Sequence, residues 1–266
     1  MNLVLGTATK YNIPQVNLFV KSFRKYNKRD RVILLVSLES PPEYFEFLKK
    51  YDIDYSFFET YHFVDTHLNN SRFAKYMDIL LDSKDTYDKV FLTDTRDIVF
   101  QSDPFANLPK EFLYFFEEEK ESKIGVNPYN SSWMRMTFGE EVLQELYNST
   151  IICAGTTIGN TKKILDYIGT MLAILHQVKQ QNPEAYKVNI DQAIHNFIYY
   201  KTNHIAGMTA KQNGNIVGTI GLTREINLDK IVLKKEGMYV HDMKPAVIHQ
   251  YDRSEEYTNF FKGLYD

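Results

Sequence analysis

Residues 31 to 36 read RVILLV, five apolar residues in a row after one arginine. A run this short and this continuous suits a strand buried on both faces, which requires helices above and below a sheet. The neighbouring segments supply them. Asn2 to Gly6 reads as a strand. Ile13 to Tyr26 reads as a helix whose apolar residues Val16, Phe19, Val20 and Phe23 fall on one side. Pro41-Pro42 starts a helix carrying Tyr44, Phe45, Phe47 and Leu48, since proline is tolerated in a first turn. Asp54 to Glu59 is a further strand, Ser71 to Leu81 a helix that stops before the polar SKDTYD turn, and Lys89 to Leu92 a strand. This β-α-β-α-β order predicts an α/β domain with a mostly parallel central sheet.

The second half is less regular. The pattern predicts a strand over Phe112 to Phe116, a solvated turn at the acidic run EEEKE, and a helix over Glu140 to Tyr147. STIICAGTTIGN follows at 149 to 160, then a helix from Thr161 to about Gln180, with Asn160 or Thr161 as N-cap. A helix over Ile190 to Tyr200 and short strands near Ile216, Ile231, Tyr239 and Ala246 to His249 finish the chain. No composition break marks a linker and no internal repeat is present. The reading is one domain over 1–266, in two halves over about 1–105 and 106–266.

Of 266 residues, 44% are apolar, enough for a substantial core. Net charge is −3, from 34 acids against 31 bases with no basic block, so bulk electrostatics do not suggest nucleic acid as a partner. The single cysteine, Cys153, excludes an internal disulfide framework and a multi-cysteine zinc site. No apolar stretch reaches the roughly 18 to 20 residues of a membrane span, and no basic leader precedes the N-terminal apolar run. A cytoplasmic protein is the expectation. Aromatic residues interleave with charges from Tyr44 to Phe63, which reads as half-buried packing rather than a stacking platform for bases.

The chemistry concentrates at FLTDTRDIVFQSDPF, residues 91 to 105. An apolar strand ends in Asp94-Thr95-Arg96-Asp97, resumes as Ile98-Val99-Phe100, and meets a third acid at Asp103. Buried carboxylates require partners. Arg96 could neutralise one of them while Asp97 accepts turn backbone hydrogens. Alternatively, the acids hold Mg²⁺ or Mn²⁺ together with the oxygens of a substrate diphosphate. Neither GxxxxGK[ST] nor GxGxxG occurs, so a P-loop and a dinucleotide fingerprint are absent.

With its acidic turn at a strand end, the chain resembles the GT-A-fold glycosyltransferases, which hold a metal and a nucleotide-diphosphate sugar with a DxD motif. The spacing here is DxxD: Asp97 matches the second acid, Thr95 stands where strict spacing puts the first, and Asp94 is a conditional ligand. GTATKYN at 6–12 resembles the loop that cradles base and ribose, which implies Thr7, Ala8, Thr9 and Tyr11. SRFAKYMDIL at 71–80 resembles the helix that points a basic residue at the donor, with Arg72 and, one turn on, Lys75. STIICAGTTIGN resembles the acceptor-side strand, with Cys153-Ala154-Gly155 where the family has Asn-Ala-Gly. NIDQAIHNFI resembles the Asp-Gln pair of retaining members, Asp191 and Gln192, and PAVIHQYDR the strand whose histidine, His249, completes the metal site.

Each segment also has a plain structural reading: a connecting loop at 7–11, a solvated Arg72, Asp191 as a helix N-cap, His249 as a core histidine, and Cys153 as a small buried hydrophobe. The resemblance implies a metal site of Asp97, His249 and Asp94, preferably Mn²⁺. It further implies phosphate contacts from Arg96, Arg253 and Lys262, and transfer from a UDP-sugar to a glycan, glycolipid or protein hydroxyl with retention. Three rivals remain. A non-catalytic sugar-nucleotide or glycan-binding domain of the same fold is one, and a metal-dependent phosphohydrolase is another. The third, a nucleotidyltransferase, expects a glycine-rich loop after its first strand, whereas GTATKYN has one glycine.

Overall fold

A computed structural model describes residues 1–59, 65–83, 87–202 and 204–265. The end of the aromatic stretch and residues 84–86 of the SKDTYD turn lie outside the described residues. The first half alternates as its pattern predicts: β1 (Leu3–Thr7), α1 (Ile13–Tyr26), β2 (Arg31–Val36), α2 (Pro42–Lys50), β3 (Asp54–Phe57), α3 (Leu68–Asp82) and β4 (Lys89–Thr93). Asn12 caps α1 by accepting from the Gln15 backbone, while the Gln15 side chain accepts from the Asn12 backbone. Then follow β5 (Ile98–Phe100), β6 (Leu113–Glu117), α4 (Pro128–Glu145), β7 (Ile152–Asn160), α5 (Thr161–Gln181), α6 (Pro183–Lys187) and α7 (Asp191–Lys201). The chain continues with β8 (Met208–Lys211), β9 (Val217–Thr219), α8 (Thr223–Ile226), β10 (Ile231–Lys234), β11 (Gly237–Val240), β12 (Val247–His249) and α9 (Glu255–Tyr265).

Seven strands form the central sheet in the order β3-β2-β1-β4-β7-β6-β8. The strands from β3 to β4 run parallel, β7 runs antiparallel to both of its neighbours, and β8 is parallel to β6. The run RVILLV buries both faces, as its continuity requires. Ile33 and Leu35 point into a core shared with α3, α5 and α7, while Val32, Leu34 and Val36 join α1 and α2 on the other side.

A second sheet, β5-β12-β9, stands beside the first. The chain leaves the main sheet after Thr93, turns at Asp94–Asp97 and enters β5, which pairs antiparallel with β12. The Phe100 ring of β5 ties the small sheet to the large one, its centroid 6.4 Å from that of Phe91 in β4, and to α1. It is fully buried, edge-on to Phe19 at 5.2 Å and to Phe23 at 5.0 Å, and the Phe100 backbone N–H donates to Ser22 Oγ at 2.9 Å.

Three sequence expectations need correction. Glu117–Glu121 is not simply a solvated turn, because Glu118 and Glu119 are buried. Glu119 accepts from Asn213, Thr223 and Asn227 and meets His241 Nε2 at 3.0 Å, which ties this turn to the C-terminal quarter. Helix α4 begins at Pro128 rather than Glu140, capped by Asn127, and bends at Gly139, whose φ of 88° lies outside the helical region. The N-cap of α5 is Asn160, one of the two residues expected there, although its side chain makes no capping bond. The chain ends in α9, not in a strand.

Replacing Phe100 by alanine removes the ring that joins the two sheets, and the expected loss is about 3 to 5 kcal/mol. Urea unfolding measures it, and a midpoint close to wild type would show that the two sheets do not depend on this ring.

Candidate functional site

Two pairings assemble the site. The Asp94 backbone N–H donates to the Gly155 carbonyl at 2.8 Å, which extends the β4–β7 ladder one step beyond Thr93. On the other side His249 pairs with Ile98, and the Gln250 N–H donates to the Asp97 carbonyl at 2.8 Å. The Asp94–Asp97 turn is therefore clamped between β7 and β12. Thr95 points inward, its hydroxyl donating to the Thr7 carbonyl at 2.7 Å. Gly6 makes room for it, since a Cβ there would lie 2.4 Å from the Thr95 methyl. With Thr95 turned away, Asp94 and Asp97 project to the same side.

Asp94, Asp97 and His249 each present a ligand atom within 4.8 Å of the others. His249 Nε2 lies 3.5 Å from Asp94 Oδ2 and 3.6 Å from Asp97 Oδ1; the imidazole is buried, and this nitrogen has no hydrogen-bond partner among the described residues. Burial pushes the Asp97 carboxyl up, with His249 opposing. Burial likewise disfavours charge on His249, yet Cys153, Asp97 and Asp94 raise its proton affinity well above the ordinary imidazole value. Two carboxylates around an unpartnered buried nitrogen fit a divalent cation, which displaces the proton that otherwise balances them. Gly155 keeps the space open, because a Cβ there would lie 2.5 Å from His249 Cε1 and 2.6 Å from Asp94 Oδ2.

Arg72 occupies the centre of the other wall. It is buried rather than solvated, with Nη1 at 2.6 Å from Asp94 and Nη2 at 2.9 Å from Asp191. Burial opposes ionisation of Asp94, but the Arg72 guanidinium and His249 outweigh it and hold the carboxyl well below the usual range. Asp191 is not an N-cap. Ile190 takes that position, and Asp191 sits in the first turn of α7, its carboxyl raised by burial against the pull of Arg72. Gln192 is pinned to β7, donating to the Ile152 carbonyl at 2.6 Å and accepting from the Ala154 N–H at 2.9 Å.

Arg72, Asp94, Asp191, Gln192, His249 and Arg253 line one cleft of about 630 Å³ at the strand ends. Arg96 pairs with Asp252 at 3.0 Å rather than with either turn acid. Asp103 accepts from Asn27 and from the Phe105 N–H, so the third acid is structural. Thr7, Ala8 and Thr9 are buried and stand behind the cleft wall. Thr7 bonds Tyr76 OH at 2.8 Å, and Thr9 donates to the Leu35 and Phe58 carbonyls. Tyr11 is near enough to Asp94 and Asp97 for their charges, after burial, to raise its phenol. Lys75 and Lys262 do not line the cleft.

Sequence reasoning missed Glu118 and the α4 wall. Glu118 hides inside EEEKE, whose composition signals solvent; the apolar strand running into it, LYFFE, was the available clue.

No protein-family model matches the sequence, and no curated protein matches it. Solved structures do. The galactosyltransferase LgtC in complex with donor and acceptor sugar analogues superposes with a TM-score of 0.56 at 13% identity, over 99% of this chain and 96% of LgtC. An active-site mutant of LgtC gives 0.60 at 14% identity over the same shares. The bifunctional glycosyltransferase WbbM gives 0.57 at 14% identity, and the apo form of the glycosyltransferase GlyE of Streptococcus pneumoniae TIGR4 gives 0.53 at 16%. The chain has a GT-A-type fold. It spans 96% of LgtC but only 49% of WbbM and 62% of GlyE. Among the described residues, no helix of this GT-A-type chain is long and apolar enough to cross a membrane.

Burial, opposed by His249 and Cys153, pushes the Glu118 carboxyl up to about 7. The unfolded value is about 4.3, so the native state binds the extra proton in between, and stability falls as pH rises through that window. The full loss approaches about 4 kcal/mol above pH 7. Glu118→Gln is expected to remove it. Urea unfolding at pH 5 and pH 8 should show the variant gaining on wild type at the higher pH, and parallel values would contradict the burial of this acid.

Proposed function

We propose that the chain is a metal-dependent glycosyltransferase that moves a sugar from a UDP-sugar to a hydroxyl acceptor with retention. The observation that carries this reading is the Asp94–Asp97–His249 group, with its unpartnered nitrogen: Asp94 and His249 line the cleft at the strand ends of a GT-A-type fold, and the buried Asp97 stands beside them. LgtC, whose fold the chain shares, is a galactosyltransferase solved with donor and acceptor sugar analogues, which supports a nucleotide-sugar donor here.

In this reading Asp94, Asp97 and His249 hold Mn²⁺, which the mixed carboxylate and imidazole set favours over Mg²⁺. Bound there, the ion would supply Lewis-acid stabilisation of the negative charge on the leaving diphosphate. The chain's own groups do the positioning. Arg72 and Asp191 orient the donor sugar, Arg253 contacts phosphate, and the 7–11 loop carries the nucleoside, with Tyr11 as the side chain nearest the acids. Gln192, held by two backbone bonds, presents a fixed amide beside the reacting carbon.

Retention is favoured because Asp191 is bound to Arg72 at 2.9 Å and is not free to deprotonate an acceptor as an inverting base must. The same logic disfavours the phosphohydrolase rival: Asp94, its candidate nucleophile, is bound to Arg72 at 2.6 Å.

Purified protein is expected to release UDP from at least one member of a UDP-sugar panel with Mn²⁺ and to stop on addition of EDTA. Asp97→Asn should abolish release while its thermal transition stays within a few degrees of wild type. Metal-dependent donor binding without turnover across the panel would indicate a non-catalytic sugar-nucleotide-binding domain instead. The anomeric configuration of the transferred sugar, read by proton NMR, decides retention. A separate outcome is expected for Gly155→Ala, whose added methyl intrudes between Asp94 and His249. Its Mn²⁺ affinity by calorimetry should fall at least about tenfold, roughly what loss of a supporting group costs a metal site.

A further inference from the structure

The cleft has a second wall that neither the metal group nor the donor contacts use. It is the start of α4, where Asn127 accepts from the backbone N–H groups of Tyr129 at 3.1 Å and Asn130 at 3.0 Å. This cap fixes the first turn, so side chains leaving it have set directions. Tyr129 and Trp133, four residues apart, fall on the same face of the helix, and both line the cleft. Their ring centroids are 6.0 Å apart with planes tilted by 36°, which makes one broad, slightly folded aromatic surface. Tyr129 is 68% exposed, and Trp133 is the single tryptophan of the chain. Large rings normally go to the core, so the exposed Tyr129 beside a half-buried Trp133, anchored on the Met134 and Leu143 cluster, marks a contact surface on the cleft wall.

Resting on the glycosyltransferase reading above, we propose that this wall is the acceptor subsite and that the acceptor is a glycan whose terminal sugar ring lies against Tyr129 and Trp133. A pyranose has an apolar C–H face and a rim of hydroxyls. The wall offers the matching pair: ring faces for the C–H side, with Asn130 and Gln250 at the edge of the same cleft for the hydroxyls. Gly221 helps to place Gln250, since a Cβ at 221 would lie 2.0 Å from the Gln250 side-chain oxygen.

A peptide acceptor would be read through a sheet edge or an apolar groove. The cleft instead alternates aromatic with amide and guanidinium groups, so a carbohydrate fits it better. The subsite holds the glycan so that its hydroxyl oxygen bonds to the donor's anomeric carbon. The bond from that carbon to the diphosphate breaks, its electron pair leaves with the UDP, and the hydroxyl proton passes to the departing phosphate oxygen.

Because Trp133 is alone, the tryptophan emission of the unaltered protein reports this wall directly. Titration with lactose, cellobiose and maltose, without donor, is expected to give a saturable emission change for at least one of them. Tyr129→Ala, at an exposed position, should shift that midpoint about tenfold, and should raise the KM for the same glycan about tenfold with kcat within about twofold. A silent emission with all sugars, or a glycan KM unmoved by Tyr129→Ala, overturns the subsite. Transfer only to serine- or tyrosine-bearing peptides overturns the glycan assignment. The two readings fail separately. Sugar binding at Trp133 without UDP release under any condition sinks the transferase and leaves the subsite. UDP release with no sugar response at Trp133 does the reverse.

Discussion

The Arg72 guanidinium between Asp94 and Asp191 is the contact on which the site depends. One fork joins the end of β4 to the start of α7, two elements from opposite halves of the chain. An arginine can do this because its planar group presents donors in two directions and stays charged when buried. Losing one partner would leave a buried charge uncompensated, a far larger penalty than loss of an exposed pair. The cation also sets the electrostatic character of the neighbouring turn, holding Asp94 ionised while burial raises Asp97.

Around that fork the fold works by switching direction. Parallel strands β1 to β4 deliver their carboxyl ends to one edge, and antiparallel β7 runs back along β4 to set Gly155 beside Asp94. The small sheet then returns β12 next to β5, so that His249 arrives at the far side of the same turn. The rigidity comes from packing at Phe100 and from the buried Glu119, whose bonds hold the 117–121 turn against the C-terminal quarter.

Much of the first half was legible because its signals are local. Ile13–Tyr26 and RVILLV were readable to the residue, since a capping Asn12 and an unbroken apolar run mark their own limits. The acidic turn was conspicuous as charge at the end of a buried strand. The second half carried weaker local signals. EEEKE looks solvated by composition, yet Glu119 is drawn inward by partners roughly a hundred residues away in sequence, and Glu118 is buried beside it. Asn127-Pro128 is a helix-start signal, but Gly139 interrupts the pattern that follows it, which hid the early start of α4.

The sequence by itself determined the order of strands and helices in the first half, the two-faced burial of the sheet, and the place where acids meet a strand end. Those follow from hydrophobic period, proline and capping chemistry, all of which act over a few residues. Only the tertiary structure decided which acids act together. The DxxD spacing suggested that Asp94 stood one residue out of register, but the turn buries Thr95 against Thr7 and brings both carboxylates to His249. It likewise decided that Arg96 belongs to Asp252 and Arg72 to Asp94 and Asp191. Charge pairing across a fold depends on distances that strand order and register create, and no local pattern encodes those distances.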